Sequence, residues 1–62
     1  MTITKETIDF ISMVRAEYPK TYEWMRHKAK WEQIVLGAVA IEYKDYILAL
    51  IEKEKAGVDI DA

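Results

Sequence analysis

Cysteine is absent from this chain, which excludes disulfides and thiolate zinc sites alike. Histidine occurs once, at His27, so a histidine-rich metal centre is not expected. The single proline, Pro19, and two glycines, Gly37 and Gly57, leave little to interrupt a helix. The longest apolar run, Ile34 to Ile41, has eight residues, far short of the roughly 20 that span a bilayer. Met1 is followed by threonine, isoleucine and lysine rather than a basic and then apolar stretch, so no secretory signal is expected. A cytoplasmic protein without membrane contact is the default reading.

What the chain does hold is apolar surface: 52% hydrophobic residues against 32% charged, with a formal net charge of −2. That composition is globular rather than disordered. At 62 residues it forms one domain, and a chain this small buries only about 60% of its unfolded surface when it folds alone. Disulfides and thiolate metals being excluded, oligomerisation is the remaining way to add buried area.

The periodicity is helical throughout. Thr7, Ile8, Phe10, Ile11, Val14 and Tyr18 share one side of a first helix, with Ile3 near it and Glu6, Asp9, Met13, Ala16 and Glu17 opposite. Thr4 suits its N-cap and Glu6 its first turn. Pro19 ends it. Thr21 is then the expected cap of a second segment, which runs on through good helix formers to Gly57 as the residue past its C-terminus. Unbroken, Tyr22 to Ala56 would be a helix of roughly 50 Å. Small domains average helices of about 11–12 residues, so a kink or break is expected in the polar stretch Arg26 to Lys30. The predicted fold is all-α: a short helix, a turn at Pro19, then a kinked or broken long helix. It forms a helical hairpin or three-helix unit over residues 1–57, followed by a short acidic tail, 58–62.

The later helix is apolar on two faces. Leu36, Ala40, Tyr43, Ile47 and Leu50 form a core row flanked by Val39, Tyr46 and Ile51. Ile34, Ala38, Ile41 and Leu48 form a second row nearly opposite, and Gly37 beside it permits close backbone approach. A lone copy is not expected to cover both, so this second row is the expected interface of a homo-oligomeric bundle, most simply a homodimer.

No catalytic or di-iron spacing is present, and neither an enzyme, a metal nor a cofactor is expected. The one local constellation is Tyr22, Trp24, Arg26, His27, Lys28, Lys30 and Trp31, in which basic side chains are interleaved with aromatics. It is read as the contact surface of a small non-enzymatic binding or regulatory protein whose target is an unidentified protein. Size and the lack of motifs suit an inhibitor or accessory factor from a mobile element such as a phage. The rival expectation is a nucleotide or nucleic-acid binder, with Arg26, Lys28 and Lys30 on phosphate and Trp24 or Trp31 stacking on a base.

Overall fold

In the computed structural model residues 3–58 are described, and every regular element among them is helical. Four helices follow one another: α1 (Lys5–Glu17), α2 (Pro19–Glu32), α3 (Leu36–Glu42) and α4 (Lys44–Lys55). The all-α class is as the periodicity predicts. The count is not, because the segment read as one kinked helix is three helices rather than one or two.

Thr4 caps α1 as expected, its hydroxyl oxygen accepting from the Thr7 amide at 3.3 Å. Pro19 does more than end α1. It pushes Tyr18 to φ −132°, ψ 69° and itself opens α2. Thr21 is therefore not the cap. It lies two residues inside α2, fully buried, and the exposed amides of this helix start are satisfied from a distance. The Glu54 carboxylate on α4 accepts from the Thr21 amide at 2.9 Å, the Thr21 hydroxyl at 2.9 Å and the Lys20 amide at 3.3 Å. A negative group at the positive end of a helix is the arrangement its dipole favours.

The expected break at Arg26 to Lys30 is also corrected, since α2 passes through that stretch intact. It stops at Gln33, which adopts a left-handed conformation at φ 56°, ψ 43°. The Gln33 amide donates to the Lys30 carbonyl and the Ile34 amide to the Ala29 carbonyl, the paired bonds of a Schellman ending. Ile34 turns back against the core beside Ala29, and that burial sets the stopping point. Gly57 ends α4 in the same way at φ 78°, with the Val58 amide donating to the Lys53 carbonyl. Here the residue type announces the geometry; at Gln33 it does not. Gln33→Gly relieves the left-handed strain, and a gain of about 0.5–1 kcal/mol in urea denaturation is the expected result. The second interruption, at Tyr43, is only a bend. The Tyr43 amide still donates to the Val39 carbonyl, and its own carbonyl accepts from Ile47.

The core draws on all four helices: Val14 from α1, Met25 from α2, Val39 and Ala40 from α3, and Ile47 and Ile51 from α4. Leu50 is buried as well. Helix α1 packs against both α2 and α3, which rotates its buried arc. Met13, assigned to the polar side, is half-buried against the core, whereas Ile8, assigned to the apolar stripe, is largely exposed.

The second row of the later helix fares differently from its expectation. Ile34, Ala38 and Ile41 are half-buried within the single chain, and only Leu48, 43% accessible, is properly exposed. Gly37 is buried, and a Cβ on it would meet Ile3 Cδ1 at 2.5 Å. Its close approach therefore serves Ile3 of the same chain, and a larger side chain there would displace Ile3. The break at Gln33 is the reason: it lets α1 and α2 cover α3 from two directions. Total accessible surface is 4442 Å², against about 4200 Å² for a monomer of this mass. Each chain thus closes a core by itself. Asp59 to Ala62 of the acidic tail lie outside the described residues; Val58 follows Gly57, exposed. Among the described residues, no helix is long and apolar enough to cross a membrane.

Candidate functional site

The basic and aromatic residues singled out in the sequence all lie on α2, and the helix divides them between different surroundings. Glu23, Arg26, His27 and Lys30, spaced three or four apart, line one shallow outer groove of about 360 Å³. Trp31 continues this row, one turn beyond His27, with the two rings edge to face at 6.4 Å. It is 70% exposed, and Val35, just past the Gln33 turn, is 62% exposed. Tryptophan is seldom left so open, because its ring carries a large apolar area.

Tyr22, Trp24 and Lys28 are engaged elsewhere. Tyr22 and Trp24 are half-buried against the core. Trp24 packs on Tyr46 at 4.8 Å with the rings tilted by 47°, and meets Tyr43 edge-on at 6.1 Å. The Lys28 ammonium lies 5.0 Å from the Tyr43 ring centre and 2.9 Å from the Glu32 carboxylate. The Tyr43 hydroxyl donates to that same carboxylate. This donation, followed by that of Lys28, holds the Glu32 carboxyl below its usual range, and in return raises both Tyr43 and Lys28. Lys28 thus faces the protein's own acid and the Tyr43 ring rather than the outer groove. Helix α2 and the Tyr43 bend are held together by this cluster.

The candidate site accordingly contracts to Arg26, His27, Lys30 and Trp31, with Val35 added. Sequence reasoning missed Val35, since it falls in an apolar run that a continuous helix would have buried. No signal short of locating the Gln33 turn would have exposed it. Neither Arg26 nor Lys30 forms an ion pair with another described residue. Helix α2 carries four of the nine Lys and Arg residues but only two of the eleven acids, so it is the positive pole of an otherwise acidic chain. Among the described residues, no three of His, Asp and Glu converge in a way that would hold a metal. Ser12 lies exposed on α1, a helix away from His27.

Comparison with known proteins returns no match to a family model, a curated protein or a solved structure.

Proposed function

We propose that this chain is a small non-enzymatic binding protein, working as a homo-oligomer, that engages an acidic segment of another protein through the outer face of α2. The observation that carries this reading is Trp31, 70% exposed one turn beyond His27 on α2, the helix that also carries Arg26 and Lys30. Tryptophan and arginine are the side chains most enriched where binding energy concentrates, because they combine large contact area with directed polar contacts. Charge complementarity selects an acidic partner. The exposed tryptophan adds an apolar anchor point to that charge.

The second reading, single-stranded nucleic acid, rests on the same exposed ring, which offers a stacking face on the same basic helix. The charge distribution supports protein instead. The basic pole extends along one helix of about 21 Å, and the rest of the chain carries nine acids against five Lys and Arg residues, which disfavours a polyanion longer than that helix.

Trp31→Ala should leave the fold intact, since exposed substitutions usually shift stability by less than about 0.5 kcal/mol. It should weaken partner binding by about 30-fold or more. The test immobilises the parent chain and the Trp31→Ala and Arg26→Glu/Lys30→Glu variants, and passes lysate of the source cells over each, with and without nuclease treatment. A protein retained by the parent and lost from both variants is the expected result. Retention abolished by nuclease, with a steep salt slope on oligo(dT), would favour the nucleic-acid reading. Equal retention on all three columns would sink both.

A further inference from the structure

We propose that the groove between α1 and α3 seats a second copy of this chain in a two-fold contact, with Glu6 of each copy paired to Lys44 of the other. This inference rests on the homo-oligomeric part of the proposed function and assigns it a surface distinct from the α2 face.

The groove has a volume of about 190 Å³ and is lined by Glu6, Thr7, Phe10, Ala40, Ile41 and Lys44. Its floor is apolar, from Phe10, Ala40 and Ile41. Leu48, one turn beyond Lys44 and 43% exposed, prolongs that strip along α4. An acid and a base therefore flank an apolar strip, and among the described residues neither forms an ion pair within its own chain.

That combination is self-complementary. In a two-fold interface, residue i of one copy meets residue j of the other, and j meets i. One acid and one base on the same groove then yield two opposite-charge pairs around a shared apolar centre, with no other partner required. Parallel superposition of like charges is disfavoured, so the same two residues also select the register. A stable pair needs about 800 Å² from each partner, under a fifth of the 4442 Å² that one chain exposes. Because each chain already closes its own core, the pair forms between folded monomers and must depend on concentration.

Sedimentation equilibrium of the full chain over a concentration series tests this. The parent should move from the 7.3 kDa monomer toward twice that mass. Glu6→Lys and Lys44→Glu, both at exposed positions, should each keep a helical circular dichroism spectrum and weaken self-association at least 10-fold. An equimolar mixture of the two variants should recover the dimer mass, because every introduced charge then faces its opposite on the other chain. Should either variant fail to fold, Leu48→Glu probes the apolar strip and should lower the dimer fraction likewise. A parent that dimerises with mass unmoved by all three substitutions would overturn this surface alone. A parent that stays monomeric at every concentration would overturn the homo-oligomeric reading with it.

Discussion

Ile47→Ala is expected to bring the chain to the edge of unfolding at room temperature. Ile47 is fully buried in the first turn of α4, in a cluster with Val14, Met25, Val39 and Ala40. Truncating a buried isoleucine costs about 2–5 kcal/mol, since the lost transfer energy is joined by that of an unfilled cavity. At roughly 0.05–0.15 kcal/mol per residue, a chain this small has a total stability of about 3–9 kcal/mol. The loss is thus comparable with the whole. Met25→Ala should behave similarly, although Met25 immediately precedes the basic stretch Arg26 to Lys30. Urea denaturation followed by circular dichroism measures both. A shift of less than 1 kcal/mol at either position would mean that the four helices do not converge where the structure places them.

Glu54→Ala is expected to cost about 2–3 kcal/mol, far more than a glutamate on an otherwise polar helix ordinarily contributes. Its carboxylate supplies three acceptor contacts to the start of α2, and charged hydrogen bonds contribute about 1.5–3 kcal/mol each at most, with strong overlap between them. Removing it strands the buried Thr21 hydroxyl as well. The same contacts govern its titration. Burial raises the Glu54 carboxyl, but the Thr21 amide and hydroxyl, the Lys20 amide and the Lys20 charge together outweigh it, and the net displacement is below the usual 4.5. A carboxyl depressed in the folded state contributes stability that is full above its unfolded value and is lost as pH falls through its folded value. Parent stability should therefore decline below about pH 4.5, and Glu54→Gln should flatten that decline while costing less than alanine at pH 7. An unchanged acid limb in Glu54→Gln would show that the carboxylate does not cap α2.

The helical class, the Thr4 cap, the proline boundary and the Gly57 ending were all legible in the sequence, because each follows from a residue's own backbone preference or from a spacing of three and four. The core row was legible for the same reason at Ala40, Ile47 and Leu50. Gln33 was not, since glutamine carries no local bias toward a left-handed turn, and the turn is imposed by Ile34 burying itself. Thr21 was read as a cap, and Met25 was given no place in the core, because their burial depends on α4 arriving over α2. Of the candidate site, the sequence identified Arg26, His27, Lys30 and Trp31 but could not separate them from Tyr22, Trp24 and Lys28, whose partners Tyr43, Tyr46 and Glu32 come from elsewhere or from a particular rotamer. Local preference and periodicity thus settled which segments coil and where their ends can lie. Which side chains remain open to a partner was decided only when α1 and α4 closed over the middle of the chain, because exposure depends on contacts between residues far apart in sequence.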